Sequence, residues 1–166
     1  MSPAAFLDRD GVINKEKGHF HKIDDFEWIN GSIEAIKYLN NKNYYVFVVT
    51  NQSGIARGYF DEKDVELLHS QINLGLNKHH ANIDEFFYSP YHPDFNNKYQ
   101  NLSNLRKPNT GMLDKAYEKY KFDKSKSFMI GDQKSDMLCA KNFGIQGFLF
   151  NSGNLFDFIK SIDFFD

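Results

Sequence analysis

One apolar run, residues 44–50 with the sequence Tyr-Tyr-Val-Phe-Val-Val-Thr, constrains the fold of this chain more than any other stretch. It contains no charged residue and consists of the β-branched and aromatic residues that strands favour. A strand without alternation of polar and apolar residues is buried on both faces, as in the interior of a parallel sheet. The run therefore predicts a central parallel strand that is covered by helices on both sides.

Four further apolar segments predict strands, and helical patterns separate them. The strand segments are residues 4–7, 83–88, 127–131 and 145–150. We expect Ser32 and Asp61 to be the N-caps of the first two helices. Alternation of strands and helices implies one parallel sheet with helices on both faces. We therefore predict an α/β fold, with a single Rossmann-like domain over residues 1–166.

Composition excludes several classes of protein. The formal net charge of −2 provides no basic surface for nucleic acid and no cationic face for a membrane. No apolar run approaches the roughly 18–20 residues of a membrane span. The single cysteine, Cys139, excludes a disulfide framework and a cysteine-rich zinc site. The first strand follows the initial methionine too closely for a signal peptide, so we expect a cytoplasmic protein. We also expect a monomer.

Acidic residues follow two of the predicted strands directly. Asp8 and Asp10 come after the first strand, and Asp132 comes after the fourth. The carboxyl ends of parallel strands share one edge of the sheet, so these carboxylates should converge there. Neighbouring carboxylates repel each other, and a divalent cation is the obvious group to offset that repulsion. Taken alone, Asp8-Arg9-Asp10-Gly11 favours a functional site only slightly over a solvated turn.

Two other segments are suited to binding an anion at the same edge. Thr50-Asn51-Gln52-Ser53-Gly54 offers neutral donors beside a glycine, although plain strand-to-helix connections have similar composition. Arg106 and Lys107 precede a helix N-terminus, where an anion is favoured, although solvated charge pairs are commoner. Together with the carboxylates, these residues predict a site for phosphoryl transfer.

The residue types suggest a role for each member of that site. Asp8 is the expected nucleophile and forms an aspartyl-phosphate, while Asp10 is the expected general acid and base. Thr50 and Lys107 are expected to hold the phosphoryl oxygens. We expect Mg²⁺ as cofactor, with the metal ligands Asp8, Asp132 and Asp10, the last through a nearby main-chain carbonyl. Asp136 is expected to contact these ligands without binding the metal itself, or only to cap a helix.

The long polar loop after the first strand, roughly residues 9–31, contains two histidines. His19 and His21 can ligate a metal at this spacing, but such residues more often line a polar loop. Loops of this length are often functional.

The motifs Asp8-Arg9-Asp10-Gly11, Thr50, Lys107 and Gly131-Asp132 resemble those of the haloacid dehalogenase superfamily of phosphatases. Residues 6–14, 18–27, 49–58 and 106–112 resemble, within it, the heptose 1,7-bisphosphate 7-phosphatases, a histidinol-phosphatase-like group without a cap domain. The resemblance implies a phosphoric monoester hydrolase that removes the C7 phosphate of a small sugar bisphosphate. Its product would serve lipopolysaccharide or capsule biosynthesis.

The resemblance also implies a set of substrate contacts. They are Glu16, Lys17, Gly18, His19, Thr50, Asn51, Gln52, Ser53, Arg106, Lys107 and Gln133. Among these, Arg106 is the expected partner of the retained phosphate, because a guanidinium can bind a phosphate through two parallel hydrogen bonds. In many members a lysine stands at the position of Gln133, and here Lys134 follows it.

A second departure from the family concerns zinc. Many members hold a structural zinc in the loop before the basic pair, through three cysteines and a histidine. This chain has Ser89, Tyr91, Ser103 and Leu105 at those places, so no structural zinc is expected. The loop is then held by packing through Tyr88, Tyr91 and Tyr99, or is mobile until substrate binds.

Two other functions compete with the heptose enzyme. A histidinol-phosphate phosphatase shares the scaffold, but the turn at residues 54–58 and the loop at residues 18–27 favour the heptose enzyme. A catalytically silent protein that binds sugar phosphates has no need of both a nucleophile and an acid/base. The anomer and the pathway are not indicated by the sequence.

Overall fold

The computed structural model describes residues 1–95, 97–162 and 164–165. Its strands and helices alternate along the chain as predicted. They are β1 (Ala4–Leu7), α1 (Ser32–Asn41), β2 (Tyr45–Asn51), α2 (Glu62–Asn77), β3 (Glu85–Ser89), α3 (Gly111–Tyr120), β4 (Phe128–Gly131), α4 (Lys134–Phe143), β5 (Gln146–Leu149) and α5 (Leu155–Ser161).

The five strands form one parallel sheet in the order β3-β2-β1-β4-β5. Leu7, the last residue of β1, lies opposite Val48 of β2 and Ile130 of β4. The chain leaves β1 toward one side of the sheet and returns to β4 on the other, so the crevice between these strands is a topological switch point. Ligands bind at such crevices in open α/β sheets.

Helices cover both faces of the sheet, which confirms the predicted α/β architecture. Alternate strand residues point to opposite faces. Leu7 and Val48 pack with α1, α2 and α5, whereas Phe6 and Phe47 pack with α3 and α4. The second face is aromatic, since the Phe6 ring lies 5.3 Å from that of Phe47. Burial on both faces fixes the strands, and therefore the residues that follow them.

The start of α1 differs from the prediction. Gly31, with φ of 81°, is the N-cap, and Ser32 is the first helical residue. The Ser32 hydroxyl is buried and donates to the carbonyl oxygen of Ile13 at 2.9 Å. The side chain therefore ties the long loop to the helix instead of capping it. Asp61 caps α2 as predicted, in a reciprocal pair with Asp64.

Strand limits also differ slightly, because β2 begins at Tyr45 and β3 only at Glu85. Among the described residues, every helix is too short or too polar to cross a membrane. The monomeric state, the cytoplasmic location and the single domain stay predictions.

Candidate active site

Residues at the end of β2 and just after β1 and β4 meet around one cleft of about 220 Å³ at the carboxyl edge of the sheet. The lining side chains are mostly carboxylates, amides and hydroxyls. They belong to Asp8, Asp10, Glu16, Thr50, Asn51, Lys107, Asp132, Gln133, Ser135 and Asp136. The structure thus brings together all the predicted catalytic and metal-binding residues.

Lys107 joins two of the carboxylates beneath this cleft. Its ammonium lies 2.8 Å from Asp8 Oδ1 and 2.7 Å from Asp136 Oδ1, and it also donates to the carbonyl oxygen of Val49 at 2.9 Å. Lys107 is 4% exposed and Asp8 is 7% exposed. Three oxygens therefore hold the cation in one position beside the Asp8 carboxylate.

Burial and charge act in opposite directions on this pair. Burial raises the pKa of Asp8, and the Lys107 cation opposes that effect. Burial lowers the pKa of Lys107, but the attraction of Asp8 and Asp136 outweighs it and the net pKa is raised. The lysine is therefore a permanent cation, which is what a site for anionic phosphate needs.

Asn51 fixes the backbone of the same lysine. Its side-chain oxygen accepts from the Lys107 backbone N–H at 3.0 Å, and its amide donates to the Lys107 carbonyl at 3.2 Å. Asn51 is the last residue of β2. This pairing attaches the Lys107 loop to the sheet edge.

A cluster of carboxylates meets the requirements of a divalent cation. Asp8, Asp132 and Asp136 each place an oxygen within 4.8 Å of the other two. Asp132 Oδ1 is buried without a hydrogen-bond partner among the described residues. Buried polar atoms are rarely left in that state, and hard oxygen ligands suit Mg²⁺. The donor set and its unpartnered oxygen therefore fit this ion.

Gly11 makes room for that carboxylate. It has φ of +88°, and a Cβ at this position would lie 2.1 Å from Asp132 Oδ2. Only glycine adopts this backbone region without strain and leaves the space empty.

Asp136 serves the lysine and the start of α4. One of its oxygens lies against Lys107, while Oδ2 accepts from the Gln133 backbone N–H at 3.0 Å. Both oxygens are therefore used inside the protein, which agrees with a supporting role.

The Asp10 carboxylate lies outside the carboxylate cluster and is surrounded by donors. Arg9 Nη2 lies 3.1 Å from Oδ1 and 3.3 Å from Oδ2. Asn14 donates to Oδ1 and Gln52 donates to Oδ2, both at 2.9 Å. The Gln52 amide also donates to Thr50 Oγ1 at 2.9 Å. Asp8 and Asp10, which are separated by one residue, therefore have different surroundings.

Comparison with known proteins decides the family. A sequence model described as HAD-hydrolase-like matches residues 104–155. A D-glycero-beta-D-manno-heptose-1,7-bisphosphate 7-phosphatase of Photorhabdus laumondii is 45% identical over 83% of this chain and 74% of its own length. A D-glycero-alpha-D-manno-heptose-1,7-bisphosphate 7-phosphatase of the same organism is 40% identical over 90% of this chain and 83% of its own. The chain belongs to the haloacid dehalogenase-like phosphatases.

A solved structure agrees with this assignment. The D,D-heptose 1,7-bisphosphate phosphatase of B. bronchiseptica, complexed with magnesium and phosphate, is 30% identical, with a TM-score of 0.80. The match covers 99% of this chain and 88% of that one. The prediction of a phosphoric monoester hydrolase is confirmed at the level of the family.

Only part of the predicted substrate loop reaches the cleft of this phosphatase. Glu16 lines the cleft, and its carboxylate accepts from the Gly18 backbone N–H at 2.8 Å. Lys17 lies outside the cleft and forms an exposed ion pair with Glu27 at 3.5 Å.

The two histidines of the loop pack against aromatic rings. The His19 ring lies 5.3 Å from the Tyr59 ring, and the His21 ring lies 5.3 Å from the Phe60 ring. Neither belongs to a group of potential metal ligands among the described residues. The structure therefore favours the polar-loop interpretation over the metal one.

Ser53 and Arg106 are not among the residues that line the cleft, and both are linked to one short loop, residues 91–95. Arg106 Nη1 donates to the Tyr91 carbonyl at 3.3 Å. Arg57 donates to Ser53 Oγ at 3.4 Å and lies 4.2 Å from the Phe95 ring. Burial and the neighbouring Arg57 lower the pKa of Arg106. Two guanidinium groups are therefore linked to this loop, close enough for the charge of one to act on the other.

The loop before the basic pair, for which the sequence predicts no structural zinc, packs against other parts of the protein. The three tyrosines expected to hold it are in contact with one hydrophobic cluster, whose buried members are Ile55, Ala56, Phe60, Val65 and Tyr99. Tyr88 and Tyr91 pack against that cluster. These contacts favour packing through the three rings, one of the two alternatives predicted for this loop.

Three residues that contact the site were not predicted from the sequence. Arg9 and Asn14 bind the Asp10 carboxylate, and Ser135 lines the cleft. The sequence does contain a signal for Arg9, because an arginine between two aspartates at the end of a buried strand cannot reach solvent easily. Asn14 and Ser135 resemble ordinary turn residues and had none.

Proposed function

We propose that this chain hydrolyses the C7 phosphate of a D-glycero-D-manno-heptose 1,7-bisphosphate, with Asp8 as the nucleophile. The observation that carries the proposal is the Asp8 carboxylate held by Lys107 beside an unpartnered Asp132 oxygen. Relatives that are 40% to 45% identical are named for this substrate, which supports the choice of sugar.

Asp8 is placed to attack phosphorus. One of its oxygens accepts from Lys107 and from the Arg9 backbone N–H at 2.9 Å, so the carboxylate cannot rotate freely. The other oxygen is free to form the bond to phosphorus as the bond to the C7 oxygen breaks, which leaves an aspartyl-phosphate. Fixing the nucleophile in advance removes part of the entropic cost of the reaction.

Asp10 is the proposed proton carrier. It would give a proton to the departing C7 oxygen and then take one from the water that hydrolyses the aspartyl-phosphate. Its three donors, Arg9, Asn14 and Gln52, fix the position of the carboxylate. The Gln52 link to Thr50 connects this acid with the hydroxyl that would bind a phosphoryl oxygen.

Mg²⁺ would be held by Asp8 and Asp132, together with the main-chain carbonyl of Asp10. When bound, the ion would supply positive charge that offsets the negative charge of the phosphoryl group. Lys107 and Thr50 complete the set of groups that bind the phosphoryl oxygens.

The rest of the substrate would extend from the cleft past Glu16 and Gln133, which line it, toward Arg106, the residue before the cleft-lining Lys107. A sugar hydroxyl suits the Glu16 carboxylate, and the retained phosphate suits the guanidinium of Arg106.

The decisive experiment measures phosphate release from both heptose bisphosphate anomers and from histidinol phosphate, each with Mg²⁺ and with a chelator. We expect Mg²⁺-dependent turnover of a heptose bisphosphate and a product that retains the C1 phosphate. Turnover of histidinol phosphate alone would refute the proposed substrate. If no compound is hydrolysed with Mg²⁺, a binding protein becomes the better interpretation.

A further inference from the structure

We propose that His69 is a positioning residue that holds Arg9, and through Arg9 the Asp10 carboxylate, in the orientation needed for proton transfer. The inference rests on the proposed function, since it assigns His69 to the same reaction. His69 belongs to α2 and lies 60 residues from Arg9 in the sequence.

Arg9 is a buried cation with partners on two sides. It is 1% exposed, and its guanidinium binds both oxygens of Asp10 on one side. On the other side, Nη1 lies 3.1 Å from Nε2 of His69. The Phe20 ring lies 5.2 Å from the guanidinium carbon. Because a buried guanidinium needs a partner for each donor, these contacts determine where it lies.

His69 is itself held firmly. It is 4% exposed, and its ring stacks on Phe86 with centroids 4.5 Å apart and planes inclined by 17°. Burial, and then the charge of Arg9, lower its pKa well below the usual value, so the ring is neutral. Since a guanidinium can only donate, Nε2 accepts and the ring proton is on Nδ1.

The consequence concerns the geometry of Asp10. If His69 offers no acceptor, one buried donor of Arg9 is unsatisfied, and the guanidinium can recover a partner only by moving. Asp10 accepts three hydrogen bonds from that guanidinium, so its carboxylate moves too. A displacement of about 1 Å is enough to slow a positioned reaction severely. A histidine that only fills the core would not act selectively on proton transfer.

Leaving-group dependence separates these two roles. Cleavage of an alkyl phosphate needs a proton on the departing oxygen, whereas 2,4-dinitrophenyl phosphate releases a stable phenolate without one. The experiment measures release of the alcohol or phenolate in a single turnover with Mg²⁺, so that hydrolysis of the aspartyl-phosphate does not contribute. Circular dichroism and thermal melting verify the fold of each variant.

His69→Phe keeps an aromatic ring on Phe86 but removes the acceptor. We expect it to slow cleavage of the alkyl phosphate about tenfold or more, and that of dinitrophenyl phosphate less than about twofold. His69→Gln, which restores an acceptor, should recover most of the alkyl rate. His79→Phe, an exposed substitution just beyond α2, is the matched control and should change neither rate. If His69→Phe does not fold, Arg9→Lys replaces it. This variant keeps the charge but loses the planar guanidinium, and it should show the same selective loss.

Asp10→Asn distinguishes failure of this inference from failure of the proposed function. If wild type cleaves both compounds and Asp10→Asn loses only the alkyl reaction, the proposed chemistry is supported. Equal losses for both compounds in His69→Phe, or none, would then overturn the role of His69 alone. If wild type cleaves neither compound, both proposals fall together.

Discussion

The inner group at the carboxyl edge, formed by Asp8, Lys107 and Asp136, contrasts with the outer loop, residues 15–19. The inner group is almost fully buried, and an oxygen of each carboxylate lies within 2.8 Å of the Lys107 ammonium. The outer loop is exposed, and its ion pairs to Glu27 are in solvent. Both regions border the same cleft through Asp8 and Glu16.

The contrast indicates a division of work. Buried charges are expensive to separate, so the inner group has one arrangement and is suited to chemistry that every substrate undergoes. Exposed ion pairs contribute little and can be rearranged at small cost, so the outer loop is suited to recognising one particular substrate. Substitutions in the inner group should therefore reduce both turnover and stability, and those outside should change mainly KM.

The largest effect should follow Asp8→Asn. The amide has nearly the same shape but is a poor nucleophile, so we expect kcat to fall at least about 10³-fold. Phosphate release with Mg²⁺ measures the loss, and a circular dichroism spectrum like that of wild type shows that the fold remains. Activity close to wild type would remove Asp8 from the role of nucleophile.

Lys107→Met should show the cost of breaking the inner group. It leaves the buried carboxylates of Asp8 and Asp136 without their cation, which costs about 3–5 kcal/mol in such sites. Urea denaturation measures the change in the free energy of unfolding, and phosphate release measures the accompanying loss of activity.

Lys15→Met is the matched control, since it removes a cation from the exposed pair with Glu27. Its urea midpoint should match that of wild type. If both variants lost the same stability, the distinction between the two regions would be wrong.

Much of the inner group could be predicted from sequence because it depends on strand ends. Asp8 and Asp132 directly follow apolar runs, and the rule for parallel sheets places such positions at one edge. Lys107 precedes a helix and was assigned to the same edge. Burial of the strands leaves these residues no other place, so local pattern was sufficient.

The remaining contacts depend on residues that are distant in sequence and ordinary in type. Asn51 is expected to contact substrate, but its pairing with the Lys107 backbone was not predicted. His69 lies within an amphipathic helix, where nothing in the periodicity relates it to Arg9. In the sequence Ser32 resembled an N-cap. Only the folded loop shows that its hydroxyl donates to the Ile13 carbonyl instead. Such pairings are set by tertiary packing, which no single segment encodes.

Gly11→Ala should weaken metal binding without removing a ligand. The new methyl would overlap Asp132 Oδ2, so the carboxylate must move. We expect the Mg²⁺ concentration that gives half-maximal activity to rise about tenfold, as for other changes that displace a ligand.

Gly144→Ala is the control for backbone strain. Gly144 also has φ of +88°, but no atom lies within 4 Å of its Cβ position. It should lose about 1 kcal/mol of stability and keep the Mg²⁺ dependence of wild type. An equal shift in both variants would attribute the Gly11 effect to strain and not to Asp132.

The smallest effect on kcat should follow Arg106→Gln, next to the cleft-lining Lys107. The substitution removes a guanidinium that is held beside Arg57 and keeps a polar side chain of moderate length. We expect KM for the heptose bisphosphate to rise about tenfold, which corresponds to about 1.4 kcal/mol, while kcat changes little. Heptose 7-phosphate, which lacks the C1 phosphate, is the internal control and should show the same KM with both proteins. If KM rose equally for both substrates, Arg106 would contact the sugar or the reacting phosphate and not the second phosphate.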